Sequence, residues 1–272
     1  MTSTLAGKTI GVTAERRAHQ QQRYLEARGA HVLWAPVLHT VDHTERPEVV
    51  AATTAMVDAA PDILVVQTGQ GLRWWLDAMG HDQSEALLES LTGTEIWCRG
   101  SKATSACKKV GLDVAWQSPL ETTADVCDHL VGADLEGGTV ALQLDGNDPG
   151  PLLSAAAGAE TVVALDVYGY RLPTDIGPVR NLVAEILGGG VDAVTFTASP
   201  AIRHLRELAA TIDGVDRLAE LDDAFNSHCL AVLVGPVCAE TASEVGWSHF
   251  VEPPTARLIP MLETLETALI ST

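Results

Sequence analysis

Pro61-Asp62-Ile63-Leu64-Val65-Val66-Gln67-Thr68, continuing into Gly69, Gly71 and Arg73, has a close counterpart 130 residues on: Val191-Asp192-Ala193-Val194-Thr195-Phe196-Thr197, continuing into Ala198 and Arg203. Each stretch opens on an aspartate, runs through an apolar stretch, closes on a threonine and reaches an arginine eleven residues after the aspartate. A short run this apolar reads as a strand buried on both faces, as in a parallel sheet covered by helices. A second repeat lies downstream. Gly100 to Gly111 and Gly235 to Gly246 are again eleven-residue steps, offset by 135, each opening a helix after an apolar strand and ending on a glycine suited to a helix C′ position.

Working outward, β-rich runs alternate with helix-like segments along all 272 residues. The strands expected are Thr9–Thr13, His31–Trp34, Ile63–Gln67, Glu95–Cys98, Asp113–Trp116, Val140–Gln143, Thr161–Leu165, Ala193–Phe196, Leu230–Val234 and His249–Val251. Ten strands suit two sheets of about five better than one small sheet. The fold class predicted is α/β: two similar doubly wound parallel-sheet domains joined by a two-stranded linker. Breaks at Ala35-Pro36 and at Tyr168-Gly169-Tyr170-Arg171-Leu172-Pro173 assign residues 1–37 with 172–272 to a discontinuous first domain and 38–171 to a second, with linkers near 35–40 and 167–173.

Composition narrows the function. A 46% hydrophobic, 19% charged chain is an ordinary globular protein, and a net charge of −19 disfavours nucleic acid and anionic membrane as partners. The charge is uneven: residues 1–38 hold Lys8, Arg16, Arg17, Arg23 and Arg28 against Glu15 and Glu26, while 110–170 contain no Lys or Arg. Five cysteines without CxxC spacing and an N-terminus without a charged-then-apolar signal pattern predict a reduced, cytoplasmic protein, expected to be a monomer. No stretch approaches the roughly 20 apolar residues of a membrane span. For metal, only the i, i+4 spacing of His39 and His43 invites attention, and it reads as a solvated loop pair.

Parallel sheets gather ligands at the carboxyl ends of their strands, where helix N-termini offer free N–H groups to anions. Four such loops stand out: Thr68-Gly69-Gln70-Gly71, Arg99-Gly100-Ser101-Lys102, Thr197-Ala198-Ser199-Pro200 and Gly235-Pro236. Their hydroxyls serve either helix capping or a ligand. Their matched positions favour a shared cleft between the domains. Signatures that would name a reaction are missing: the chain has no GxGxxG, GxxxxGK[ST], GxSxG or HExxH. Gly188-Gly189-Gly190 reads as a turn. Of the adjacent Trp74 and Trp75, one reads as core and the other as free to line a cleft, because neighbours on a helix face different ways. Tyr168, in the connector, is placed to donate a proton or to pack on the linker.

Taken in order, the chain resembles the uroporphyrinogen-III synthase family. The resemblance runs through Gly11-Val12-Thr13 with Arg16-Arg17, Gly29 to Ala35-Pro36, Asp62 to Gly71, Gly100 to Gly111, Pro119 with Thr122-Thr123, Ala141-Leu142-Gln143 to Gly146, Val167-Tyr168, Asp192 to Thr197, Gly235 to Gly246, and Pro253 with Thr255. It implies two α/β domains with the active site in the cleft between them. It also implies cyclisation of hydroxymethylbilane, a linear tetrapyrrole with eight carboxylates, with inversion of its last ring through a spiro intermediate. No metal or cofactor is implied. Tyr168 matches the family tyrosine that assists loss of the substrate hydroxyl. Arg16, Arg17, Thr68, Gly69, Gly71, Gly100, Ser101, Lys102, Thr104, Thr123, Gly146, Thr197, Ala198, Ser199, Gly235 and Pro236 are the substrate-binding residues implied. The chain departs from the family at Ala103 and Cys238, where many members have threonine. That departure keeps open a non-catalytic regulator that senses a tetrapyrrole or another anion on the same fold.

Overall fold

The structure, a computed structural model, describes residues 3–270. The strands are β1 (Thr9–Val12), β2 (His31–Trp34), β3 (His39–Asp42), β4 (Ile63–Val66), β5 (Glu95–Cys98), β6 (Val114–Gln117), β7 (Thr139–Gln143), β8 (Thr161–Leu165), β9 (Tyr168–Arg171), β10 (Ala193–Phe196), β11 (Leu230–Leu233) and β12 (Phe250–Val251). The helices are α1 (Ala18–Glu26), α2 (Pro47–Asp58), α3 (Gly69–Ser90), α4 (Ser101–Lys109), α5 (Thr123–Gly132), α6 (Gly150–Ala155), α7 (Gly177–Leu187), α8 (Ser199–Thr211), α9 (Leu218–Ser227), α10 (Pro236–Glu244) and α11 (Leu258–Ile270). The chain divides into two compact units, one formed up to His39 and again from Arg171, the other by Thr40–Tyr170.

In the Thr40–Tyr170 unit, five parallel strands run in the order β6-β5-β4-β7-β8. The central strand shows why a fully apolar run was needed. Leu64 and Val66 join the core under α2, α3 and α4, whereas Ile63 and Val65 join a separate core under α5 and α6. Alternate side chains thus enter opposite layers, and both layers are apolar. The discontinuous unit repeats the plan with the order β12-β11-β10-β1-β2. There, Ile10 and Val12 pack with Met261, Leu262 and Leu265 of α11, while Phe225 stacks on Trp247 and Phe196 meets both rings at a tilt. β3 and β9 pair as a two-stranded sheet of their own.

The repeated aspartates explain the registers. The Asp62 N–H donates to the Thr139 carbonyl at 2.9 Å, its carbonyl accepts from Glu95 N–H at 2.9 Å, and its carboxylate accepts from Thr139 N–H at 2.7 Å. Asp192 makes the same three bonds, to Thr9 carbonyl, Leu230 N–H and Thr9 N–H, at 2.9, 2.9 and 2.8 Å. One residue before the central strand therefore ties both neighbouring strands, and the loops at the far ends leave the sheet in matched positions. Gly111 and Gly246 also play one part: each has φ +83°, and the next residue, Leu112 or Trp247, bonds back across the helix end to Cys107 or Ala242 at 3.1 or 2.9 Å. Left-handed backbone of this kind suits glycine.

Asp62→Ala and Asp192→Ala are each expected to lower unfolding free energy by about 1–2 kcal/mol, with the asparagine variants nearer wild type. Urea melts check this; alanine variants as stable as wild type would remove the aspartates from the account.

Candidate active site

The parallel registers carry polar residues to the carboxyl edge of the Thr40–Tyr170 sheet. Val66 pairs with Cys98 on one side and with Gln143 on the other, so the residues that follow, Gln67-Thr68, Arg99 and Asp145, emerge close together. Arg99 Nη1 pairs with Asp145 Oδ2, with both side chains largely buried, and also lies 3.4 Å from Thr123 Oγ1. Thr123 Oγ1 donates to Gln67 Oε1 at 3.3 Å. Asn147 completes the Asp145 environment, its side-chain amide donating at 2.8 Å and its N–H at 3.1 Å. Burial pushes the Asp145 carboxyl up, but the Arg99 charge and the bonds from Arg99 and Asn147 outweigh it and hold the group below the ordinary carboxylate range.

Tyr168 stands beside this row. It is 3% exposed, packs within the α2–α4 core, and its hydroxyl lies 3.2 Å from Thr68 Oγ1. Thr68 Oγ1 also caps α3, accepting from Gly71 N–H at 3.0 Å. Trp74 meets the Tyr168 ring edge-on at 5.9 Å between centroids, and Tyr170 does so at 5.7 Å. Trp75 turns inward, its indole N–H donating to Thr53 Oγ1 at 2.8 Å. The Trp pair thus divides between core and site as its adjacency requires. Burial first, and then the negative Asp145, raise the Tyr168 phenol above its usual value; burial, with Tyr168 and Asp145 adding, raises Tyr170 further. Both phenols are proton donors at neutral pH.

The loop glycines have packing reasons of their own. A side chain at Gly69 would run into the Lys102 carbonyl oxygen of α4, and one at Gly71 into the Gln143 amide. Gly146, with φ +77°, sits where a Cβ would come 2.9 Å from the Tyr170 ring. These contacts let α3, α4 and β9 crowd the strand ends, whatever the loops hold besides. At Gly100, a Cβ would lie 3.1 Å from the Glu121 carboxylate, which accepts from Ser101 N–H at 3.1 Å. The first turn of α4 therefore already faces a carboxylate of its own chain. Glu121 adopts φ +55° there.

Ala103 is 1% exposed on α4, while Thr104 Oγ1 donates to Gln117 Oε1 at 2.6 Å; Lys102 is exposed. In the discontinuous unit, Thr197, Ala198 and Ser199 form the entry to α8, and Gly235 and Pro236 the entry to α10, both at the carboxyl edge of that sheet. A Cβ on Gly235 would lie 2.6 Å from that of Ala256. Cys238 is 2% exposed, and the Thr241 hydroxyl is turned back to the Val237 carbonyl at 3.1 Å. Arg16 and Arg17 are exposed after β1, Arg17 with φ 56° at the start of α1. His39 and His43 lie in separate pairs, with Glu15 at 2.5 Å and Asp166 at 3.0 Å.

Sequence reasoning missed Asp145, Asn147, Gln67 and Gln143 as site components, and took Arg99 only as part of a loop. The available signal was positional: Gln67 and Arg99 directly follow apolar strands and Gln143 ends one, where a parallel sheet presents polar groups to a ligand. Because the folded Asp145 carboxyl releases its proton more readily than it does in the unfolded chain, it stabilises the fold above pH about 4. That contribution is lost as pH falls through the lower folded value. Asp145→Asn is expected to cost about 3 kcal/mol at pH 7 by leaving Arg99 unpaired, and to flatten the fall in stability below pH about 4. Urea midpoints across pH check this, and equal acid slopes in both proteins would contradict it.

Comparison with known proteins agrees with this architecture. The chain is 27% identical over 263 residues to Bacillus subtilis (strain 168) uncharacterized protein YjjA, covering 96% of each. A selenomethionine mutant form of uroporphyrinogen III synthase from the extremely thermophilic bacterium Thermus thermophilus superposes with a TM-score of 0.80 at 27% identity, covering 97% of this chain and all of that one. The wild-type Form-2 crystal of that enzyme gives 0.66 at 28% identity, over 97% and 98%. A sequence model described as uroporphyrinogen-III synthase HemD matches residues 19–263, and the chain belongs to that family.

Proposed function

We propose that the protein is a uroporphyrinogen-III synthase, a cofactor-independent cyclising hydro-lyase acting on hydroxymethylbilane in haem biosynthesis in the cytoplasm. The observation that carries this reading is the buried Tyr168 hydroxyl, held 3.2 Å from Thr68 Oγ1 at the carboxyl edge of the sheet. Family membership supplies the reaction class. Losing hydroxide from a pyrrolic hydroxymethyl group needs little more than a proton on the leaving oxygen, because the pyrrole nitrogen pushes electrons into an azafulvene. Tyr168 supplies that proton, and the nearby Asp145 charge keeps it on the phenol until the leaving oxygen arrives.

The harder task is direction. The azafulvene must be attacked by the substituted carbon of the last ring, giving a spiro intermediate that fragments and recloses inverted, and this is control by orientation. Thr68, Gly69, Gly71, Gly100, Ser101, Lys102, Thr104, Thr123 and Gly146 are proposed to bind substrate. Arg16, Arg17, Thr197, Ala198, Ser199, Gly235 and Pro236 are proposed as further contacts. A second reading, a regulator that binds a tetrapyrrole or another anion without turning it over, is favoured by two features. Ala103 and Cys238 are buried without hydroxyls, and Glu121 occupies the start of α4.

Coupled to a source of hydroxymethylbilane, the purified protein is expected to shift the product from the type I to the type III isomer, resolved by chromatography. Type I alone, with binding retained, would favour the regulator. Tyr168→Phe is expected to slow turnover about 10²-fold with only a small loss of thermal stability; turnover equal to wild type would remove the tyrosine from the chemistry.

A further inference from the structure

β5 and the helix α4 that follows it carry two thiols for which the reaction above has no use. Cys98 ends β5 and Cys107 lies in the last turn of α4; both are fully buried, with sulfurs 3.6 Å apart. The two sulfurs share a hydrogen bond; that contact makes Cys98 part with its proton more readily than an ordinary thiol, while the same contact and burial make Cys107 hold its own more tightly. Between them in the chain lie Arg99, partner of Asp145, and Gly100 and Ser101, which open α4. The buried side chains of α4 are only Ala103, Ala106 and Cys107. Lifting so small an apolar face from the sheet exposes little surface, so brief local opening is an inexpensive route for a small oxidant.

We propose that Cys98 and Cys107 are a modification site: a dithiol that a hydroperoxide converts reversibly to an intrachain disulfide, shifting the Arg99 end of the sheet. The Cys98 thiolate attacks one peroxide oxygen, the O–O bond breaks, and Cys98 becomes a sulfenic acid as the other oxygen leaves as water or an alcohol. The Cys107 sulfur then attacks the Cys98 sulfur; the S–S bond forms and the S–O bond breaks, with hydroxide leaving as water on taking the Cys107 proton. Two thiols give up two electrons and two protons, and the peroxide is reduced. Closing to about 2.05 Å draws α4 and β5 together. The short segment 99–106 must absorb that movement, and it contains the arginine that holds Asp145.

The link itself does not depend on the synthase reading; only its effect on product does. The full chain is treated with hydrogen peroxide, unfolded in an alkylating agent, digested without reductant and weighed by mass spectrometry. The expected result is a Cys98–Cys107 peptide lacking two hydrogens, reversed by dithiothreitol, at peroxide levels that leave Cys229 and Cys238 alkylated. Both Cys98 and Cys107 alkylated after peroxide, or Cys98 carried irreversibly to a sulfinic acid, would overturn the proposal. In Cys107→Ser, shown to be folded by its melting temperature, Cys98 is expected to be trapped by dimedone as the sulfenic acid; a Cys98 that dimedone never labels would contradict the first step. Type III product is expected to fall about tenfold or more in the linked protein and to return on reduction. An unchanged yield would overturn the coupling to the site. Type I product alone before any peroxide is added would count against the synthase reading and leave the mass measurement intact.

Discussion

The parallel register of β4 with β5 on one side and β7 on the other is the constraint on which the candidate site depends. Asp62 fixes that register by bonding to both neighbours one residue before the central strand begins. Because all three strands run the same way, the polar residues that follow them emerge at one edge. Gln67, Arg99 and Asp145 are 32 or more residues apart in the chain and meet only through this pairing. Asp192 imposes the same geometry on the discontinuous unit, which is why the two sequence repeats translate into two equivalent sheets.

A second consequence is electrostatic. A row of strand ends beneath packed helices removes water from Asp145 and Tyr168, which raises the cost of any unpaired charge. Arg99 and Asn147 meet that cost for Asp145, whereas Tyr168 avoids it by keeping its proton. One edge therefore holds a carboxylate that stays ionised beside a phenol that stays neutral. The negative member reinforces the neutral state of its neighbour. Removing Arg99 or Asp145 thus alters the protonation setting of the tyrosine as well as the stability of the unit.

The strands were legible because their signal is local. Apolar runs such as Ile63–Val66 and Ala193–Phe196 announce double-sided burial, and the ten strands expected agree with the observed ones to within a residue or so at their ends. β3 and β9 were not among the ten and entered only as the expected two-stranded linker near 35–40 and 167–173: His39–Asp42 and Tyr168–Arg171 mix polar, aromatic and glycine residues, so their exact strands carry no apolar-run signal. Tyr168 stood out because a tyrosine in a connector is conspicuous in a chain with three. The Arg99–Asp145 pair was invisible for the opposite reason: one arginine among many loop residues and one aspartate in an acidic chain carry no local mark of each other. The global charge of −19 pointed away from a polyanionic ligand, yet Arg99 supplies a cation at the strand ends; there Asp145 balances it.

Glu121 already occupies the start of α4, so the strand-end loops are where the synthase reading and the regulator reading differ most. Hydrogen–deuterium exchange, measured with and without the octacarboxylate tetrapyrrole product under reducing conditions, tests the central claim that this edge is the substrate site. The account predicts slower exchange of the amides in 68–72 and 101–104 when the tetrapyrrole is present. Exchange unchanged in both loops, with the tetrapyrrole shown to be bound, would contradict it.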